Sequence, residues 1–133
     1  MFPKGFIKPT TSRTDKNVCY VSPSEQTNVG LYMSTFYPRR ITIKGITYPT
    51  MEHAYQAAKF RLTDHPIIAR KFRHGGSITC PKAAREFGSR EGLEDIGVNL
   101  DREKWRQVKH DVFNHIVLKR AEQDSFFKQL LHP

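Results

Sequence analysis

Between Arg40 and Leu62 the hydrophobic pattern changes period once, and that change confines the chain to a hairpin feeding a helix. Arg40-Ile-Thr-Ile43 and Ile46-Thr-Tyr48 alternate apolar and polar residues on either side of Lys44-Gly45, a two-residue turn of the kind that joins antiparallel strands. From Thr50 the period becomes helical: Met51, Ala54, Tyr55, Ala58 and Leu62 form an apolar stripe, and the Thr50 hydroxyl is placed to cap it. Glu52, Gln56 and Lys59 share a neighbouring polar face of the same helix. Glu52 and His53 therefore fall in the first turn, where backbone N–H groups lack partners and the helix dipole favours negative charge.

The rest of the chain reads around that unit. Asp64 opens a second helix through Ile67, Ile68 and Phe72, ending at His74-Gly75-Gly76. Pro81 at a first helical position and Gly88 past the end bracket a third helix, Pro81 to Phe87. Residues 91–99 read as a polar loop. Asp101 caps the longest helix, whose apolar set Trp105, Val108, Val112, Phe113, Ile116 and Val117 faces the core, and Asp124 caps a last short helix. Upstream, Asn17 to Val21 reads as a short strand, followed by a turn-rich stretch from Ser22 to Asn28. Residues 1–16 are expected to be a flexible N-terminal arm and residues 17–133 one domain. The fold class is α+β: predominantly helical, with a small antiparallel sheet.

Charge narrows the partners. Residues 39–90 carry eleven Lys/Arg against Glu52, Asp64 and Glu86 alone, out of a net charge of +9 for the whole chain. A field of that sign attracts phosphate-bearing ligands or nucleic acid. No apolar run reaches membrane-spanning length, and the start of the chain lacks a signal-peptide layout, so a cytoplasmic protein with no membrane partner is expected. Cys19 and Cys80 have no CxxC spacing and read as reduced structural thiols. The six histidines form no HxxxH or HExxH pattern, so no metal is expected, and no cofactor. No GxGxxG, GKS/T or GxSxG is present.

On position alone Glu52 is either a dipole-stabilising acid or a reacting carboxylate. His53 is a core or capping histidine or a site residue, and Lys59 a solvated cation or a substrate contact. The residues themselves leave these open. Gly45-Ile-Thr-Tyr-Pro-Thr-Met-Glu-His-Ala-Tyr-Gln-Ala-Ala-Lys-Phe60, however, closely resembles the signature of the NADAR superfamily, which includes the YbiA-like N-glycosidases. Met33-Ser-Thr-Phe-Tyr-Pro38, Pro81-Lys-Ala-Ala-Arg-Glu-Phe-Gly88 and Arg102-Glu-Lys-Trp105 with Lys109 resemble its flanking segments, in family order over about residues 17–131. Thr35 stands where the family has Asn, and Ser89 where it has Arg, with Arg90 next.

The resemblance implies a YbiA-like domain shortened at its C-terminus, since family members continue through an Asp-x-x-Trp-Gly segment and a final helix. It implies cleavage of the base–ribose N-glycosidic bond in a phosphorylated riboside, such as a riboflavin-pathway intermediate, or in ADP-ribosyl-guanine, including ADP-ribosylated nucleic acid. Glu52 takes the position of the catalytic glutamate. Lys59, Trp105, Ser34, Phe36, His53 and Gln56 become the candidate substrate contacts, with Trp105 or Phe36 stacking on the base. Phe36 and Trp105 are otherwise core residues, and Ser34 a turn residue. Two other classes stay open: a non-catalytic module for ADP-ribose or a nucleotide, and a basic nucleic-acid-binding protein using residues 39–90.

Overall fold

The computed structural model describes Phe2, Cys19, Tyr20 and residues 27–132. The chain enters through α1 (Asn28–Met33), forms the hairpin β1 (Ile41–Ile43) and β2 (Ile46–Tyr48), and continues directly into α2 (Met51–Phe60). A 3₁₀ helix (Pro66–Phe72), α3 (Pro81–Phe87), α4 (Arg90–Asp95), α5 (Arg102–Gln123) and α6 (Ser125–Leu131) follow. The domain is thus mostly helical, with one antiparallel pair in the register Ile41 to Tyr48 and Ile43 to Ile46. Lys44 (φ 51°) and Gly45 (φ 79°) both sit in the left-handed region, as a tight hairpin turn with matching twist requires.

Helix α2 is the axis of the fold. It packs against the 3₁₀ helix, α5, α3 and β2. Met51, Ala54, Ala57 and Phe60 are buried, with the Phe60 ring 5.3 Å from Phe72 and 5.5 Å from Phe87. Its polar positions are enclosed as well: Glu52, His53 and Gln56 are all buried. A helix surrounded on every side has no solvated face. Charged groups on it must then find partners inside the protein.

A second buried polar cluster ties the ends of the fold together. Arg120, with no exposed surface, donates through Nε to Asp124 Oδ2 at 3.0 Å and lies over the Phe127 ring at 4.6 Å. Asp124 also accepts from the Tyr32 hydroxyl at 2.7 Å and from the Phe127 N–H at 3.2 Å, so one carboxylate joins α1, α5 and α6. Burial, reinforced by Asp124, pushes the Tyr32 phenol up to about 12.

Several expectations need correction. The helix expected from Asp64 is a 3₁₀ helix that begins at Pro66, because the Asp64 side chain is engaged elsewhere: it accepts from the Asn99 N–H at 2.9 Å and the Asn99 amide at 3.0 Å. The loop over residues 91–99 holds α4, capped by Ser89, whose hydroxyl accepts from Gly92. Phe113, assigned to the core, is 41% exposed, and its ring edge meets Tyr55 at 6.1 Å from outside. Helix α1 falls in a stretch with no expected element; it is capped by Thr27 and buries Leu31 and Tyr32.

Within the expected strand over residues 17–21, Cys19 and Tyr20 adopt a 3₁₀ conformation, and the remainder lies outside the described residues. The expected arm over residues 1–16 also lies outside them, apart from Phe2, whose ring packs 5.9 Å from Tyr32 and 5.5 Å from Phe126. The two cysteines are not separate thiols. Cys19 and Cys80 form a disulfide with Cα atoms 5.8 Å apart, although 61 residues separate them in sequence. That Cα separation is typical of disulfides.

Candidate functional site

The start of α2 is built from three layers of local chemistry. Thr50 caps the helix, its hydroxyl accepting from the His53 N–H at 3.2 Å. The loop after α1 closes over the first turn: the Glu52 N–H donates to the Thr35 carbonyl at 3.0 Å, which satisfies a group the helix itself leaves unpaired. The Glu52 side chain turns back toward the same loop and accepts from the Thr35 hydroxyl at 2.8 Å.

Glu52 is 3% exposed, and its carboxylate is gripped on both oxygens. Oε1 takes the Thr35 hydroxyl and the Arg85 guanidinium at 3.1 Å; Oε2 takes the Gln56 amide at 2.9 Å. Arg85, from α3, is the solvent-facing partner, its side chain 49% exposed. Its guanidinium also lies 4.4 Å above the Phe36 ring. The arrangement is a buried carboxylate with one mobile-length cation between it and water. A cationic group of a ligand reaching this point would take the position that Arg85 holds.

Gln56 is locked by its neighbours. Its Nε2 is committed to Glu52, whereas its buried Oε1 has no hydrogen-bond partner. A Cβ on Gly88 would stand 1.9 Å from that oxygen, so only glycine lets α3 end against the Gln56 carboxamide. The Gly88 carbonyl in turn accepts from Lys59 Nζ at 2.5 Å. Burial holds the Lys59 ammonium below its ordinary value, with Arg102 and Lys109 acting in the same direction and Glu52 opposing them.

The other expected contacts divide. Phe36 is buried beneath Arg85 and belongs to the site. Ser34 caps the end of α1, and its hydroxyl accepts from the Phe36 N–H at 3.1 Å; it shapes the loop carrying Thr35 and Phe36. His53 faces away from the carboxylate: Nδ1 pairs with the Thr50 hydroxyl at 2.8 Å and Nε2 with the Ile78 carbonyl at 3.0 Å. Burial lowers its pKa, against the opposing effects of the Ile78 hydrogen bond and Glu52. Trp105, on α5, packs tilted against Tyr55 with ring centroids 5.1 Å apart and makes no hydrogen bond within the Glu52 group.

Thr35 and Arg85 are the two site residues that the sequence reading did not assign. Arg85 lies within the quoted segment Pro81–Gly88, but nothing in the spacing pairs an α3 cation with an α2 acid thirty-three residues away. Among the described residues, no group of three or more His, Cys, Asp and Glu could hold a metal ion. None of the described helices is long and apolar enough to cross a membrane. Comparison of the chain with protein-family models, curated proteins and solved structures finds no match.

Proposed function

We propose that the protein is an NADAR-type N-glycosidase acting on a phosphorylated riboside or on ADP-ribosylated guanine. The observation that carries the reading is the buried Glu52 carboxylate, held by Thr35, Gln56 and Arg85 at the start of α2 within the motif that resembles the family signature. Three donors fix the carboxylate before any ligand arrives. Preorganised charge of this kind is effective where positive charge develops in the transition state.

The chemistry follows from that placement. As the bond between C1′ and the base nitrogen breaks, both bonding electrons leave with the base and C1′ becomes oxocarbenium-like. Glu52 stabilises this cation at the point Arg85 occupies in the free protein. Water then adds to C1′, Glu52 takes its proton, and the proton passes to the departed base nitrogen. Phe36, buried beneath the Arg85 guanidinium, would supply an aromatic surface once Arg85 is displaced, and Lys59 a cation within the electrostatic reach of Glu52. No cofactor enters the scheme. A cytoplasmic location belongs to the same proposal, and the Cys19–Cys80 disulfide counts against it.

Incubation of wild-type and Glu52→Gln protein with ADP-ribosylated guanosine and with aminopyrimidine ribose phosphates, followed by mass spectrometry, tests the reading. Wild type is expected to release the aminopyrimidine and ribose phosphate from the one substrate and guanosine and ADP-ribose from the other, and Glu52→Gln to be slower by at least about a hundredfold. Equal rates for the two proteins would remove Glu52 from the reaction. Binding of the same compounds without turnover, from folded wild type, would replace the enzyme with a nucleotide-binding module.

A further inference from the structure

A cavity of about 410 Å³ lies beside the α2 entrance, lined in part by Pro49, and Glu52 is not among its lining residues. Arg40 from the hairpin entrance and Arg73, His74, Gly75 and Gly76 from the loop after the 3₁₀ helix supply its polar wall. Tyr20, with Pro49 and Ile78, supplies an apolar one. No Asp or Glu lines it.

The charges in this cavity are not used by the fold. Neither the Arg40 nor the Arg73 side chain has a hydrogen bond or ion pair among the described residues, and Arg73 Nε is buried without a partner. Arg73 is half-buried and Arg40 exposed, and the one buried N–H left unsatisfied costs on the order of 1–3 kcal/mol, which a ligand oxygen at this point would offset. Of the three acids between residues 39 and 90, Glu52 goes to Arg85, Asp64 goes to His65 and Asn99, and Glu86 is not among the residues lining the cavity. The local acids therefore do not neutralise the cavity.

The loop that carries Arg73 is held firmly. The His74 N–H donates to the Thr47 carbonyl at 2.8 Å, Gly76 N–H to Arg73 O at 2.7 Å, and Ile78 N–H to Lys71 O at 3.1 Å. Gly75 has φ +85°, and a Cβ on Gly76 would stand 2.4 Å from Lys71 O, so both glycines are required by this turn. The Cys19–Cys80 disulfide ties the neighbours of Tyr20 and Thr79 together, and both of those residues line the cavity.

We infer that this cavity is a binding site for the phosphate of a nucleotide, with Arg40 and Arg73 gripping the phosphate and Tyr20 flanking the body of the ligand. Guanidinium groups match phosphate oxygens in geometry as well as charge. The site stands independently of the glycosidase reading, because none of its residues belongs to the Glu52 group.

The test is a titration of the full chain with inorganic phosphate, AMP and a short single-stranded oligonucleotide, followed by amide chemical shifts and calorimetry. All three are expected to shift Arg73, His74 and Gly76. Arg73→Met and the surface variant Arg40→Gln, checked for unchanged unfolding midpoints, should each weaken AMP binding by about tenfold or more. Arg106→Gln, on α5 and outside the cavity, should leave it unchanged. Tighter binding of the oligonucleotide than of AMP assigns the phosphate to a nucleic-acid strand; equal or weaker binding assigns it to a free nucleotide. Absence of AMP binding, binding unaffected in both folded arginine variants, or shifts centred on Thr35 and Arg85 would overturn the inference.

Discussion

Arg85 and His53 show how a single side chain at the α2 entrance can be read. Arg85 bridges a buried carboxylate and water, so its pairing with Glu52 is screened on one side. A double-mutant cycle of Glu52→Gln and Arg85→Met, followed by urea unfolding, is expected to give a coupling of about 0.5–1 kcal/mol. A coupling of zero would mean that Arg85 does not hold Glu52 in solution. His53 makes a different statement, about pH. Burial lowers its pKa from 6.5, so below pH 6.5 the unfolded chain takes up a proton that the folded chain refuses. Stability should therefore fall as pH drops below 6.5, level off once the lowered folded value is passed, and gain nothing from His53 above 6.5. The His53→Gln variant should lose that part of the slope when unfolding midpoints are compared across pH.

At the scale of elements, the α2–α3 contact depends on the absence of a side chain. Gly88 ends α3 against the Gln56 carboxamide, and the same residue offers its carbonyl to Lys59. Gly88→Ala should destabilise the protein by about 1–3 kcal/mol in denaturant unfolding, since an overpacked contact forces Gln56 off its rotamer. The displaced amide would also release Glu52 Oε2, so the glycosidase activity proposed above should fall with it. Unchanged stability would show that Gln56 can move freely, and the preorganisation argument would then lose one of its three donors.

For the whole molecule, the disulfide decides how Cys19 and Tyr20 meet the domain. It connects Cys19 to the N-cap of α3 across 61 residues. Closing a loop of that length restricts the unfolded ensemble, and Cys80→Ser should lower stability by roughly 2–4 kcal/mol under non-reducing conditions. Thiol titration of unreduced protein should find no free cysteine. Two free thiols and an unchanged midpoint for Cys80→Ser would return the pair to the reduced state expected from spacing. The Arg120–Asp124–Tyr32 cluster ties α1 to α5 and α6 by a buried ion pair and hydrogen bonds, a different chemistry from the disulfide.

What the sequence determined by itself was local. The hairpin turn at Lys44-Gly45, the Thr50 cap, α3 from Pro81 to Phe87 and the caps at Asp101 and Asp124 all depend on residues within a few positions of each other, where periodicity and turn chemistry operate directly. Glu52 and Gln56 as one polar row also followed from helical spacing, because four residues span about one turn. Only the tertiary structure decided that this row is enclosed rather than solvated. It brought Thr35 and Arg85 to Glu52, turned His53 toward Ile78, sent Trp105 to Tyr55 and joined Cys19 to Cys80. Each of these pairings except Thr35 with Glu52 crosses at least twenty-five residues of chain, and even that one crosses seventeen. Over such distances a one-dimensional pattern records which residues are apolar or charged, but the packing of α2 between its neighbours selects their partners.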